Sequence, residues 1–174
     1  MVKNNITEKV LKFYKILPFN FYSTTDLAAK QIKNNNPVKF YPPLSKIIKN
    51  ENNFNIIDIG CGAGWFANSI SFHNKKVNSF GIDINKKAIN FAKDISKELN
   101  LKSTFSVKNI LELKTNKKFQ LVSSLGLLHH TQNFKKALIN SSKLSSDYLL
   151  LGLYHKYGRK PFLSFFETLK KNII

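Results

Sequence analysis

The segment Asp58-Ile59-Gly60-Cys61-Gly62-Ala63-Gly64 sets an acid ahead of three glycines at alternate positions. Glycines at that spacing let the backbone bend sharply and approach a ligand with no Cβ atoms in the way. The pattern differs from G-x-G-x-x-G, the turn that offers a helix N-terminus to a pyrophosphate. An acid two residues before the first glycine would repel a pyrophosphate. It favours a cationic group instead, such as the amino group of a methionine moiety. A second acid, Asp83, closes Gly81-Ile82-Asp83-Ile84 and stands 83 − 64 = 19 residues beyond Gly64. An acid there accepts hydrogen bonds from ribose hydroxyls. Any adenosine cofactor presents such a ribose, so Asp83 does not choose among them, and a solvent-facing acid after a strand is its plainer reading.

A third group is Ser124 to Thr131 (SLGLLHHT). Adjacent histidines lack the i, i+4 spacing of a helical metal pair, and no carboxylate or cysteine lies close by, so no metal site is expected. Either His129 or His130 has the pKa to take a proton from a reacting group. The structural alternative is that one packs while the other caps the loop or faces solvent.

These groups need elements to hold them at one edge. Phe54 to Ile59 is a short, nearly continuous apolar run, as in a strand buried on both faces of a parallel sheet. The glycine turn follows, then a helix over 64–73. Further strands are expected at Val77–Ile84, Ser103–Val107, Phe119–Ser124 and Asp147–Tyr154. Helices carrying the apolar stripes Ala88/Ile89/Ala92/Ile95/Leu99 and Phe134/Ala137/Leu138/Leu144 separate them. Strands alternating with helices predict a doubly wound α/β sheet, with ligands at the carboxyl ends of the strands. Residues 1 to about 50 read as helical. Ile6, Val10, Phe13, Tyr14 and Leu17 recur at helical spacing up to Pro18; a second helix runs from Asp26 to Lys33 and is broken by Asn34-Asn35-Asn36-Pro37; a third starts at Pro42-Pro43 and ends near Asn50. A last helix is expected over 161–171. The division is thus 1–50, a helical extension, and 51–174, the α/β domain.

Length and composition fit one domain with an ordinary core. The single cysteine, Cys61, excludes an intrachain disulfide and a thiolate zinc cluster. No apolar run is long enough to span a membrane, and the N-terminus lacks the apolar core of a signal peptide, so a cytoplasmic protein is expected. The net charge of +18 suggests a nucleic-acid partner. Yet all but one of the 28 basic residues are lysines, Arg159 being the exception, and they run along the whole chain. Nucleic-acid readers rely on arginine forks. Lysine, asparagine and isoleucine share A/T-rich codons, and compositional drift accounts for the excess better.

Three stretches, IIDIGCGAGWF (56–66), FGIDI (80–84) and FQLVSSLGLLHHT (119–131), in this order and spacing, resemble the class I S-adenosylmethionine (SAM) dependent methyltransferases, in the branch that includes ubiquinone-biosynthesis-type and other small-molecule enzymes. The resemblance implies a three-layer Rossmann-like sandwich with a mainly parallel sheet. It implies SAM as cofactor, S-adenosylhomocysteine (SAH) as product, and a small-molecule acceptor. Gly60, Cys61, Gly62 and Gly64 would form the loop under the methionine part, with Asp58 holding the loop and the amino group. Asp83 would bind the ribose hydroxyls, and Ile84 and Ile110 would flank the adenine. Asn109 stands where the family often has an aspartate for the adenine amino group. Its oxygen still accepts a hydrogen bond but carries no charge. Carbonyls near Ser124 and Leu125 would meet the methionine amino group, and the histidines would shape the acceptor side. Tyr14, Tyr22 and Tyr41 are further candidates there if the N-terminal helices form a lid, against a plainer role in packing. Methylation of RNA, SAM binding without turnover, and an NAD-dependent oxidoreductase are the rival readings.

Only five strands are visible, where the family has seven. A fragment of a longer protein, a minimal variant with a covered edge, or strands supplied by a partner would each account for that.

Overall fold

In the computed structural model, residues 22–48 and 53–153 are described. The helices predicted around 6–17 and 161–171, with Tyr14 and Arg159, lie outside them. Five strands form one all-parallel sheet: β1 (Phe54–Ile59), β2 (Val77–Asp83), β3 (Ser103–Val107), β4 (Phe119–Leu125) and β5 (Ser145–Gly152). Their order is β3-β2-β1-β4-β5, so the chain runs outward from β1 to β3 and then crosses back to β4. That reversal next to β1 is the topological switch point, where open α/β sheets bind ligands.

Alternation along β1 divides the core. Phe54 and Ile56 turn to one face, where they pack with Phe66, Ile70, Leu121 and Leu44. Ile57 and Ile59 turn to the other, with Ile82, Val122, Ala137 and Leu144. The first face carries α4 (Trp65–His73) and α5 (Lys86–Glu98). The second carries α6 (Phe134–Leu144). In α5 the predicted stripe is the buried one: Ala88, Ile89, Ala92 and Ile95 are all at most 1% exposed. The β3-to-β4 connection holds no helix; Ile110, Leu111 and Leu113 cover the sheet there, and the Lys117 ammonium sits 3.7 Å from the Phe80 ring centroid.

The N-terminal helices share this core. The first, α1 (Thr25–Asn34), buries Ala28 and Ile32 against Ile95 of α5, and Tyr22 packs on the same cluster. The helix ends at Asn34, at the predicted break, and Pro37 also starts a second short helix, α2 (Pro37–Phe40). Proline loses nothing at a first helical position, and the Asn36 side chain caps the turn by accepting from Val38 N at 3.0 Å. The third, α3 (Leu44–Ile47), is shorter than predicted and seats Leu44 against β1.

Gly81 gives one test of this packing. A Cβ there would lie 2.5 Å from a Phe105 ring carbon and 2.8 Å from Cys61 Sγ. Gly81→Ala is expected to destabilise by about 1–3 kcal/mol, the usual cost of overpacking. Thermal unfolding should register a drop of roughly 2–4 °C per kcal/mol. An unchanged midpoint would mean that Phe105 and the glycine turn yield freely.

Candidate functional site

The glycine turn leaves β1 with Gly60, Gly62 and Gly64 all at positive φ. Gly60 is held by backbone and by space. Its N–H donates to Ile82 O at 2.8 Å, and a Cβ on it would fall 2.6 Å from Leu127. No larger residue fits that backbone conformation and that gap together. The turn is tied to the second acid, since Gly62 N donates to Asp83 Oδ2 at 3.0 Å. Asp83 Oδ1 accepts from Asn85 N at 2.8 Å. Asn85 in turn caps α5, accepting from Lys87 N and Ala88 N. One carboxylate thus fixes both the glycine turn and the start of α5. Burial raises the pKa of Asp83, against the backbone N–H groups of Asn85, Gly62 and Ile84, which favour its charged form.

Asp58 lies deeper, 3% exposed, on the face of the sheet that carries α4. It sits opposite Ser123 in the parallel register of β1 and β4, and the Ser123 hydroxyl donates to Asp58 Oδ1 at 2.8 Å. Among the described residues Asp58 Oδ2 has no hydrogen-bond partner. Burial pushes its pKa up to about 7; the Ser123 bond opposes this and the Asp83 charge adds to it. A buried acid so poorly compensated attracts a cation strongly.

A cleft of about 450 Å³, counting the part continuous with solvent, opens at this edge. Of the residues singled out in the sequence, Gly60, Asp83, Ile84, Asn109, Ile110 and His130 line it. Cys61, Gly62 and Gly64 are near it through the turn but do not line it, and neither does Asp58. Gly64 serves packing, because a Cβ there would meet Ala92 at 2.7 Å. Cys61 is buried, and its thiol is pushed well up by burial and by both carboxylates, so it is no nucleophile at neutral pH. Ser124 is fully buried, and its hydroxyl ties β4 to β1 by donating to Ile59 O at 3.1 Å. Leu125 packs on the α4 side of the core.

His129 and His130 fall in a single 3₁₀ turn, Leu128–His130, with ring centroids 4.2 Å apart. Only His130 of the two reaches the cleft lining, beside Thr131. Asn109 is held by its neighbours: Oδ1 accepts from Leu111 N at 3.0 Å and Nδ2 donates to Glu112 Oε1 at 3.1 Å. One lone pair and one N–H remain for a ligand.

Sequence reasoning missed Ser123 and Lys108. Ser123 left a trace, a polar pair inside the otherwise apolar FQLVSSL, but only the sheet register shows its partner. Lys108 lines the cleft from a loop that carries no pattern, and Leu127 lines it from within the Ser124–Thr131 stretch. Among the described residues no group of three His, Cys, Asp or Glu could hold a metal, and no helix is long and apolar enough to cross a membrane.

The arrangement has counterparts among known proteins. The ubiquinone biosynthesis O-methyltransferase of Pelagibacter ubique is 30% identical over 124 residues, covering 66% of this chain and 51% of that protein. The protein of the same name from Rickettsia canadensis is 29% identical over 108 residues, covering 60% and 45%. The chain therefore spans about half the length of the curated relatives it matches. Magnesium protoporphyrin IX methyltransferase from Synechocystis, solved with bound SAM, superposes with a TM-score of 0.65 at 15% identity, covering 90% of this chain and 79% of that one, which is a likeness of fold. The model of a family described as a methyltransferase domain matches residues 50–154. That match takes in the glycine turn, both acids, the histidine turn and all five strands, and the chain belongs to the methyltransferase domain family.

Proposed function

We propose that the chain binds SAM in this cleft and transfers its methyl group to a small-molecule acceptor, leaving SAH. The observation that carries the reading is Asp83. Its oxygens accept from Gly62 N and Asn85 N, which fixes the carboxylate at the cleft as an acceptor for the hydroxyls of a ribose diol. Ile84 and Ile110 line the same cleft and suit the faces of a purine, with Asn109 at its edge. Asp58 supplies the charge for the amino group. The residues therefore fit an adenosine that bears an amino acid. The curated relatives support the small-molecule class, being named as O-methyltransferases of ubiquinone biosynthesis.

When bound, SAM supplies a methyl group already made electrophilic by its sulfonium. The protein has to hold the acceptor in line and keep water out. His130, at the cleft beside Thr131, is the residue to take a proton from an acceptor that must lose one, with the His129 ring tilted against it. We place this activity in the cytoplasm, in keeping with a chain that has one cysteine. A nucleic-acid acceptor is less favoured. Lys86, Lys87 and Lys108 follow the carboxyl ends of strands, but Lys75, Lys76, Lys102, Lys117 and Lys118 precede the amino ends, so the charge is not gathered at the cleft.

Calorimetric titration of the purified 174-residue chain with SAM, SAH and NAD tests the reading. Micromolar binding of the first two, and none of NAD, is the expected result. A folded chain that binds none of the three would reduce the assignment to fold alone. Binding of SAM without methylation of any acceptor in an extract would favour a binding module.

A further inference from the structure

Asn109 lines the cleft next to Ile110, one of the two isoleucines that suit the faces of a purine, and so stands at the edge of the base. Its amide is held one way round. Leu111 N can only donate, and it meets Oδ1 at 3.0 Å; the Glu112 carboxylate can only accept, and it meets Nδ2 at 3.1 Å. What is left for a ligand is one lone pair on Oδ1 and one N–H on Nδ2, an acceptor and a donor side by side. Lys108 lines the same end of the cleft, is exposed, and brings a group that only donates.

This edge of a purine is told apart by one substituent. Adenine presents an amino group, which donates, and hypoxanthine presents a keto oxygen in its place, which accepts. A carboxylate at this point of the cleft would take the first and repel the second. An amide has a partner for each: Oδ1 for the amino group, the Nδ2 hydrogen for the oxygen. A sideways shift of the base exchanges one bond for the other, at an edge that is open to solvent beside Lys108. Polar sites select strongly when the wrong ligand leaves one of their groups unpaired. Here neither base does, and the Lys108 ammonium is a second donor for the keto oxygen. We propose that Asn109 lets the cleft take nucleosides of hypoxanthine as well as of adenine, so that S-inosylhomocysteine, the deaminated form of SAH, is a ligand of this chain. The inference rests on the SAM reading and sets the base specificity of that same cleft.

SAH and S-inosylhomocysteine are titrated into the full chain and into Asn109→Asp. In the parent the two dissociation constants should agree within about threefold, since each base finds one hydrogen bond of ordinary strength. In Asn109→Asp the inosyl ligand should lose about tenfold or more relative to SAH, the scale of an acceptor set against a charged group. Glu112 is exposed and can turn to solvent in that variant. The ratio is the readout, because a change in packing or the loss of the Glu112 bond would move both ligands together. The pair 5′-methylthioadenosine and 5′-methylthioinosine repeats the comparison without the amino acid, and the same ratios are expected because the difference lies at the base. A parent that prefers SAH by about tenfold or more, or a ratio that Asn109→Asp leaves unchanged, overturns the assignment. If the variant does not fold, the ratio in the parent decides alone. A parent that binds neither SAH nor the inosyl form overturns the SAM reading itself.

Discussion

Asp58→Asn is expected to make the ligand-free chain more stable above neutral pH and to weaken ligand binding at the same time. The sign follows from linkage. Asp58 has a folded pKa of about 7 against an ordinary value of 3.8. Between those values the native state holds a proton that the unfolded chain has released, so stability falls as pH rises through that window. Above pH 7 the whole loss is in place. About three pH units at 1.36 kcal/mol each give a loss on the order of 4 kcal/mol. An asparagine stays neutral at every pH and keeps an oxygen for the Ser123 hydroxyl. Denaturant unfolding at pH 5, 6, 7 and 8 should therefore show the variant gaining on the parent as pH rises, by up to about 4 kcal/mol at pH 8. Some slope should remain in the variant, because burial raises the pKa of Asp83 too. SAH affinity should fall at least tenfold with the loss of the counter-charge, on the scale of about 1.5–3 kcal/mol. Parallel pH profiles for parent and variant would show that Asp58 is ionised and satisfied throughout.

A buried acid that costs stability is also the feature hardest to derive from sequence. Asp58 itself stands out, two residues before a glycine turn. Its depth does not, because the residues that pack on that face of the sheet, from α4, β4 and the N-terminal segment, meet only in the fold. Its one side-chain partner, Ser123, is 65 residues away, and only the register Asp58↔Ser123 joins them. Asp83 is easier to read, since strand, turn, helix and strand follow in order and fix the distance from Gly64 to Asp83.

The same contrast runs through the elements. β1 and β3 begin and end where the sequence places them, at Phe54–Ile59 and Ser103–Val107. β5 starts two residues before the predicted Asp147 because Ser145 pairs with Phe119 ahead of a register shift. Serines read as turn residues, and nothing local marks them as a strand start. Pro37 is ambiguous in the same way: it ends one helix or starts another, and Asn36, as a cap, decides. Of the two histidines, the sequence cannot choose which reaches the cleft, since they are adjacent and of one type; the 3₁₀ turn brings His130 to the lining.

Asp83→Ala should weaken SAH and methylthioadenosine alike, by about 1–3 kcal/mol, because both ligands present the same ribose. The substitution also strips the acceptor from Gly62 N and Asn85 N. Asn85 is 5% exposed, so its N–H has little water to turn to. Leaving one such donor unsatisfied costs about 1–3 kcal/mol. Binding and stability should therefore fall together here, whereas at Asp58 they move in opposite directions. The difference lies in hydrogen bonding: Asp83 accepts from at least two backbone donors, while Asp58 has a single hydroxyl. Asp83→Asn separates the two contributions. Its amide keeps one oxygen for Gly62 or Asn85 but turns an N–H group toward the other donor, so it should recover part of the stability and little of the affinity. Calorimetry with both ligands, run beside thermal unfolding of the three proteins, measures each quantity. Full affinity in a stably folded Asp83→Ala would remove this carboxylate from the site and leave it as the clasp between the glycine turn and α5.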